Sequence, residues 1–441
     1  MVEKSFRKEV FQIALPVALQ SMLQSSFSMI DQIMVGQLGE KSIAAVEIAG
    51  KPSFIYTVVL GAIAAIAGIM ISQYIGKEEE VSEQRSICVN VCITLVVGTV
   101  FLVLAVCFAA PFIRMFTEDR EVAGDGTAYL KIIGWAFIPM GLSQLLSVPI
   151  RCRGKSSWPL YVGILSAVIN TLLNYILIFG RLGFAPMGVR GAAFASVFSQ
   201  LVSAAILLYL FFKLYGSFPL SLALGRDGYI QYLSMLLPVM INEFLWAVGQ
   251  SINTFVYGHM GTEELAGMAL TGSVQGLTIG ALSGLSQAAG IMIGKRLGER
   301  EYERAYEESK SFCIYGLMGA LLLAALLIVL RYPYVNIYRV PEQVKSIGRD
   351  ILLAFAVLMP VKVENMILGG GIIRSGGRTK YIMFIDMLGT WVIGVPLALV
   401  CGLVLRLPIV WVYFILSQEE LIRFLISVVM FKSRKWMNTI R

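Results

Sequence analysis

Residues 15–36 read LPVALQSMLQSSFSMIDQIMVG, and the same pattern returns 222 residues later, where residues 237–258 read LPVMINEFLWAVGQSINTFVYG. The second position is Pro and the last is Gly in both copies. At the same offset, AGIMISQYIG at 67–76 aligns without a gap with AGIMIGKRLG at 289–298. A long self-similarity at one fixed offset indicates that a structural unit has been duplicated. The chain therefore contains two copies of one unit.

The composition of the chain indicates a membrane protein. Of its 441 residues, 57% are hydrophobic and 15% are charged, whereas a typical soluble domain has about 25% charged residues. The apolar residues form long blocks, such as 93–110 and 314–330, and a helix needs about 20 apolar residues to cross a bilayer. This composition excludes a soluble enzyme, a secreted disulfide scaffold and a disordered chain. It predicts an all-α polytopic membrane protein.

Gly/Pro clusters and charge runs divide the chain into twelve predicted transmembrane helices. They are expected at 10–35, 46–75, 87–112, 127–150, 158–180, 188–213, 230–257, 265–295, 309–331, 350–373, 380–404 and 408–431. The repeat groups them into two six-helix bundles, 1–215 and 230–441, joined by a cytoplasmic linker at 216–229. Because six is even, both copies enter the membrane in the same direction. The pseudo-two-fold axis between the bundles is therefore expected along the membrane normal, as in transporters with parallel repeats.

The distribution of basic residues predicts the orientation. If both termini lie on one side, the loops and tails of that side hold 22 Lys and Arg, and the other side holds 11. Cytoplasmic loops carry the basic excess, so both termini are expected in the cytoplasm. The N-terminal segment has no small-residue cleavage site and runs directly into the first helix, which predicts direct insertion into a bacterial inner membrane. No charge-dense segment with interleaved aromatic residues supports nucleic-acid binding, despite the net charge of +8.

Neither a metal nor a cofactor is expected. Cys88 and Cys92 are one helical turn apart, but no His or second Cys pair accompanies them, and His259 is the single histidine. A structural metal site needs more ligands than that. The chain has no GxxxxGK[ST] phosphate loop. Energy for any transport must therefore come from an ion gradient.

Four polar residues of the first bundle are predicted at one depth in the outer half of the membrane. Asp31 lies about 22 Å beyond Pro16 along helix 1, from a rise of about 1.5 Å per residue. Asn170 and Asn174 share one face of helix 5, and Ser196 of helix 6 reaches a similar depth. A buried carboxyl group among amides and hydroxyls can bind a proton or a sodium ion, because burial disfavours its ionised form. The alternatives are an Asp that contacts lipid headgroups and polar residues that hydrogen-bond between helices.

Charged residues are also predicted near the midplane of the second bundle, where they are costly and usually functional. The repeat mate of Asp31 is Asn253, so that acid is absent here. Glu243 lies on helix 7, and Lys362 and Glu364 lie on helix 10. Glu243 could pair with Lys362 or bind a cation together with Glu364. A purely structural ion pair is the alternative to a cation- or substrate-binding role.

Pro16 interrupts helix 1 and removes one backbone hydrogen bond. We predict a hinge at this position, which would let the Asp31 end of the helix move relative to its base. A static kink is the alternative that the sequence leaves open.

Several segments resemble the multidrug and toxic compound extrusion (MATE) family. They are LPVALQSMLQSSFSMIDQIMVGQLGEKSIAAV at 15–46, NTLLNYILIFG at 170–180, MGVRGAAFAS at 187–196 and GGGIIRSGGRTK at 369–380. The resemblance covers nearly the whole chain, although related lipid-linked-oligosaccharide flippases share the architecture. It implies a cation-coupled antiporter that expels organic, often cationic, amphiphilic small molecules by alternating access. We expect a transporter rather than an enzyme, functional as a monomer in the lipid bilayer.

The resemblance also implies roles for the polar residues of the first bundle. Asp31 matches the essential helix 1 acid of the family, and Pro16 matches the proline at which that helix bends. Asn170 matches an Asn of the helix 5 site. Asn174 falls where several prokaryotic members carry Asp, and Ser196 where they carry Thr. The site is therefore less acidic here, which leaves H⁺ and Na⁺ as alternative coupling ions.

In the second bundle, Glu243 matches the helix 7 acid of the sodium-coupled branch, and Glu364 falls within one residue of its helix 10 acid. Three other functions remain to be weighed. Flippases often line their cleft with Arg and Lys to hold pyrophosphate, whereas carboxylates dominate here and favour cationic cargo. A prenyl transferase would need paired Asp-rich magnesium motifs, and a receptor or channel would need a sensor domain or a filter-like loop. The sequence shows neither paired magnesium motifs, nor a sensor domain, nor a filter-like loop.

Overall fold

The computed structural model describes residues 2–117, 119–216, 226–338 and 340–440, and this part of the chain is almost entirely helical. Its α-helices are α1 Val2–Gly36, α2 Glu40–Gly76, α3 Glu80–Cys107, α4 Ala109–Arg114, α5 Arg120–Ile133, α6 Phe137–Cys152, α7 Ser157–Phe179, α8 Val189–Tyr215, α9 Arg226–Met260, α10 Thr262–Gly298, α11 Tyr302–Asn336, α12 Glu342–Asn365, α13 Thr379–Met387, α14 Val395–Leu399, α15 Ile409–Leu416 and α16 Gln418–Ser433. A 3₁₀ turn joins α5 to α6 at Gly134–Ala136. Three π-helical segments follow α12, α13 and α14, at Met366–Ile373, Leu388–Gly394 and Val400–Val404.

Ten helical segments of the described residues are long and apolar enough to cross a membrane. They coincide with ten of the twelve predicted spans. The other two predicted spans, 10–35 and 408–431, are occupied by α1 and by the pair α15 and α16. The predicted all-α polytopic membrane fold is therefore confirmed.

Local sequence explains where several helices begin and end. The side chain of Asp119 accepts hydrogen bonds from the backbone N–H groups of Glu121 and Val122, so it caps the start of α5. At the C-terminal end of α7, Gly180 adopts φ +67°. This left-handed conformation ends the helix, and a residue with a side chain would disfavour it. Pro408 immediately precedes α15, a position where its missing N–H costs no helical hydrogen bond.

The chain forms two compact units. The N unit comprises the described residues of Met22–Ile71 and Glu79–Arg226. Its core is aromatic around Tyr56, whose hydroxyl donates to the Phe137 carbonyl at 2.6 Å. Near the start of α3, buried Glu83 accepts hydrogen bonds from Arg153 Nε at 3.1 Å and from Tyr215 at 2.7 Å. These contacts join α3 to the turn after α6 and to the end of α8.

The C unit comprises the described residues of Met1–Ser21, Ser72–Glu78 and Asp227–Arg441. The first part of α1 belongs to this unit because its apolar face packs on later helices; the rings of Phe6 and Phe312 lie 5.6 Å apart. The predicted bundles 1–215 and 230–441 stay a prediction drawn from the repeat. Of the predicted linker 216–229, residues 217–225 lie outside the described part of the chain.

Candidate functional site

Asp31 and the three predicted polar residues form one hydrogen-bonded chain inside the N unit. Asn174 Nδ2 donates to Asp31 Oδ1 at 2.7 Å and to Asn170 Oδ1 at 3.2 Å. Asn170 Nδ2 then donates to Ser196 Oγ at 3.2 Å. All four predicted residues of this group are therefore in contact, and they come from three helices.

The helices position these side chains through their spacing and packing. Asn170 and Asn174 are four residues apart on α7, so both face α1 and α8. One turn earlier on α7, Ser166 Oγ donates to the Ser199 carbonyl of α8 at 3.0 Å. One turn beyond Asp31 on α1, Val35 packs in a small apolar cluster with residues of α7 and α8. The hydrogen-bonded chain of side chains therefore has a polar contact between α7 and α8 at one end and an apolar cluster at the other.

Burial makes this hydrogen-bonded chain electrostatically sensitive. Asn174 is 1% exposed and Asn170 is 9% exposed, whereas Asp31 is only partly buried. Tyr129 of α5 packs against the apolar cluster of Val35, one turn beyond Asp31, a neighbour that the sequence did not predict. A charge in a low-dielectric surrounding interacts strongly with its neighbours. The arrangement can therefore hold a proton or a small cation at Asp31 and transmit its presence to α7 and α8.

Lys362 of the C unit binds a carboxyl group that the sequence did not predict as its partner. Its Nζ lies 3.2 Å from Glu420 Oε1, and Asn365 Nδ2 donates to Glu420 Oε2 at 2.8 Å. Among the described residues, neither Glu243 nor Glu364 forms an ion pair with Lys362. The reason is rotational: Lys362 and Asn365, three apart on α12, both face α16.

Arg423 of α16 is the centre of a second charged group in the C unit. Its guanidinium lies 3.3 Å from Glu419, 3.7 Å from Asp386 and 4.0 Å from Glu420, and it donates to Thr390 Oγ1. Asp386 in turn accepts from Asn242 Nδ2 at 2.7 Å. One arginine therefore lies among three carboxyl groups, so acidic groups outnumber basic ones at this place.

Glycines of the π-helical segment Leu388–Gly394 make room for these charged side chains. A Cβ on Gly389 would lie 2.4 Å from Arg423 Nε, and a Cβ on Gly394 would lie 2.0 Å from a carboxylate oxygen of Glu419. Only glycine leaves that space open. The glycines of this π-helical segment therefore leave room for the side chains of Arg423 and Glu419. Such segments are frequent at functional sites.

The structure does not bring Glu243 and Glu364 together. Glu243 Oε1 lies 3.8 Å from Arg374 Nη2. Glu364 is 6% exposed and faces α11, where a Cβ on Gly316 would lie 3.2 Å from its Oε1. The two predicted acids therefore face different neighbours, and a cation shared between them would require a rearrangement.

Glu419 and Glu420 escaped the prediction, although the sequence carried a signal for them. They stand with Arg423 in QEELIRF, inside the predicted span 408–431. Acids three and four residues before an Arg on one helix are placed to pair with it. Charged residues inside an apolar span also deserve a functional reading by default, so this cluster could have been found.

Pro16 lies inside α1, which continues from Val2 to Gly36. The helix passes close to α10 here, since a Cβ on Gly284 would lie 2.0 Å from the Ala14 carbonyl oxygen. The division between the two compact units falls between Ser21 and Met22, five residues beyond Pro16. The predicted hinge therefore lies just before the point at which α1 leaves the C unit, and its motion stays a prediction.

The family model described as MatE matches residues 16–176 and 238–400. The chain belongs to the MATE family. Its members are transporters, so this chain is a multi-pass membrane protein of a multidrug efflux family. The two matched segments also correspond to the two copies of the internal repeat.

Known MATE-type proteins resemble the chain over nearly its full length. The probable multidrug resistance protein NorM of Thermotoga maritima is 25% identical, covering 98% of this chain and 93% of that protein. The Vibrio cholerae MATE transporter VcmN, solved in a bent form, is 18% identical with a TM-score of 0.87, covering 98% and 97% of the two chains. A MOP superfamily transporter from Pyrococcus furiosus is 17% identical with a TM-score of 0.87 and the same coverage. The solved structure of that last protein is described as having a binding pocket of reversed polarity that suggests a different function.

Proposed function

We propose that this MATE protein is a secondary active antiporter. It exports organic, cationic amphiphilic compounds across the inner membrane in exchange for H⁺ or Na⁺, by alternating access. Both termini lie in the cytoplasm, and the chain acts as a monomer without a cofactor. The observation that carries the proposal is the hydrogen-bonded chain from Asp31 through Asn174 and Asn170 to Ser196.

Asp31 is the ion-binding group in this proposal. A carboxyl group in the membrane interior is costly when charged, so its state depends on whether an ion is bound. Asn174 contacts both Asp31 and Asn170, so a change at Asp31 alters the contact between α1 and α7. An ion that binds one conformation more tightly than the other shifts the equilibrium between them. The bend proposed at Pro16 gives α1 a second conformation to which this equilibrium can move.

The C unit supports cationic rather than anionic cargo. Three basic residues of its charged interior have carboxylate neighbours: Lys362 has Glu420, Arg423 has Glu419, and Arg374 has Glu243. A flippase would need unneutralised Arg or Lys to hold pyrophosphate. We assign Lys362 to holding Glu420 in place, and Glu243 and Glu364 to cation or substrate binding.

The test is transport by the purified protein in liposomes that contain a fluorescent organic cation. Efflux is measured first under an imposed proton gradient and then under a sodium gradient, with a gradient-free preparation as the baseline. The proposal expects efflux above the baseline under at least one of the two gradients, which also identifies the coupling ion. Efflux equal to the baseline under both gradients would contradict the antiporter. Transbilayer movement of a lipid-linked oligosaccharide under those same conditions would support the flippase instead.

A further inference from the structure

The two repeat copies contact each other at one end of α2 and α10, within the C unit. A Cβ on Gly76 would lie 2.0 Å from the Lys295 carbonyl oxygen, and a Cβ on Gly298 would lie 2.1 Å from the Gln73 carbonyl oxygen. At the repeat offset of 222 residues, Gly76 corresponds to Gly298 and Gln73 to Lys295. The two contacts are therefore equivalent, and a local two-fold axis relates one to the other.

This crossing brings the backbones of the two helices together. Any side chain on Gly76 or Gly298 would collide with the main chain of the other helix, so only glycine permits the approach. A third glycine, Gly294, packs on its repeat mate Ser72, whose Oγ lies 2.2 Å from the Cβ that Gly294 lacks. The ends of α2 and α10 thus pack tightly against each other over about one helical turn.

The last described residues of the chain are fastened to this crossing through Gln73. Residues 435–440 follow α16 without helical structure. Gln73 is 0% exposed, and its Oε1 accepts a hydrogen bond from the Ile440 backbone N–H at 2.7 Å. Its Nε2 donates to the Asn438 carbonyl at 3.3 Å and to the Ser375 carbonyl, in the turn before α13, at 2.7 Å. One buried amide therefore joins α2, the tail and the turn before α13.

Further polar contacts hold the tail on both sides of Gln73. Lys77 Nζ donates to the Ile440 carbonyl. Thr439 Oγ1 donates to the carbonyl of Leu297, at the end of α10, at 3.1 Å, and lies 2.9 Å from the hydroxyl of Tyr302 in α11. The tail therefore bridges both helices of the crossing.

Trp436 anchors the tail at its base. It is 0% exposed, and its Nε1 donates to the Phe431 carbonyl at 3.1 Å. A Cβ on Gly376 would lie 1.8 Å from the Trp436 carbonyl oxygen, so the backbone of the tail lies directly on the turn before α13. Residues 435–440 are thus packed against the C unit.

We propose that residues 435–440 form a latch that holds the ends of α2 and α10 together, so that the transporter opens at this end only after the tail leaves Gln73. This inference rests on the alternating access proposed above. α2 is one continuous helix from Glu40 to Gly76, although Glu40–Ile71 belong to the N unit and Ser72–Gly76 to the C unit. A movement that carries α2 as one rigid helix must therefore pull Ser72–Gly76 away from α10. The tail contacts both partners and resists that separation.

Hydrogen–deuterium exchange of the full-length protein in detergent tests the latch. Two variants release it: a chain that ends at Arg434, and Gln73→Leu, which removes both hydrogen-bonding groups of the buried amide at similar volume. The matched control is Gln418→Leu, since Gln418 donates to the Phe414 carbonyl of its own chain segment and does not contact the tail. We expect amides of residues 72–78 and 294–298 to exchange at least about tenfold faster in both latch variants, equivalent to about 1.4 kcal/mol. The control and the helices of the N unit should keep their rates.

Unchanged exchange at 72–78 and 294–298 in both latch variants would overturn the latch. A rise spread evenly over both units would overturn it too, because the tail would then support the whole fold rather than one end. The exchange measurement needs no transport. A full-length protein without gradient-driven efflux would therefore contradict the proposed function, while the latch would still be decided by the exchange rates.

Discussion

Replacing Lys362 by Met should strongly destabilise the C unit. Lys362 Nζ lies 3.2 Å from Glu420 Oε1, and the two side chains are only 21% and 16% exposed. Met keeps the length and apolar stem of the side chain but removes its charge, which leaves Glu420 with a buried charge and one fewer cation. Removing one partner of a buried ion pair costs about 3–5 kcal/mol.

The matched control is Lys310→Met, which makes the same chemical change at an exposed pair. Lys310 Nζ lies 2.8 Å from Glu307, with exposures of 46% and 65%, and an exposed pair contributes about 0–1 kcal/mol. The two variants should therefore differ by about 3 kcal/mol, a factor of more than 100 in the unfolding equilibrium. The free energy of unfolding would be measured by titrating the protein from a mild detergent into SDS and following tryptophan fluorescence.

A double-mutant cycle completes this test. Lys362→Met combined with Glu420→Gln should be less destabilising than the sum of the single changes, by about 0.5–3 kcal/mol. Equal losses in Lys362→Met and Lys310→Met would refute the buried pair. So would strictly additive losses in the cycle.

Three further predictions concern the helix ends, the packing and the orientation. The backbone N–H groups of Glu121 and Val122 hold the pKa of Asp119 below its ordinary value. The cap on α5 should therefore be intact above about pH 4 and be lost as the pH falls through that lowered pKa. Hydrogen exchange of the Glu121 and Val122 amides should rise only on acidification, and Asp119→Asn should abolish that pH dependence. Gly191→Ala should cost about 1–3 kcal/mol of unfolding free energy, because the new Cβ would lie 2.7 Å from the Leu177 carbonyl. Gly61→Ala, where the new Cβ would have nothing within 4 Å, should instead stabilise the protein by about 0.4–1 kcal/mol. Equal effects of the two changes would contradict the packing at Gly191. Reporter fusions at Arg441 and at Thr117 should report opposite sides of the membrane, and the same side for both would contradict the predicted orientation.

The Asp31 group was predictable because its members are related by simple helical geometry. Asn170 and Asn174 share a face by their spacing of four residues, and the rise per residue gives the depth of Asp31 and Ser196. The structure then joins the four by hydrogen bonds of 2.7–3.2 Å. Depth and spacing were sufficient here because the three helices are neighbours.

Lys362 shows where that reasoning stops. Its depth placed it level with Glu243 and Glu364, but depth does not determine how a helix is rotated about its axis. Lys362 faces Glu420, which is 58 residues away along the chain, and Glu364 faces α11 instead. Pairing across helices depends on the packing of the whole unit.

The boundaries of the compact units could not be predicted from the sequence either. The repeat places the first part of α1 in the first bundle, yet Phe6 and its neighbours pack with α10 and α11. The π-helical segment Met366–Ile373 was not predicted either, because one extra residue per turn leaves no mark in an all-apolar stretch such as MILGGGII.

The most direct test of the central claim is gradient-driven efflux by Asp31→Asn in liposomes, compared with wild type and with Asp119→Asn. Both variants replace an Asp of the N unit by its isosteric amide, but Asp119 lies at an exposed helix cap that Asn also serves. We expect Asp31→Asn to fold and insert normally and to lose efflux, because an amide retains hydrogen bonding to Asn174 but cannot bind and release the coupling ion. Asp119→Asn should transport like the wild type. Full efflux by Asp31→Asn at equal protein content would show that coupling lies elsewhere, with Glu243 and Glu364 the next candidates.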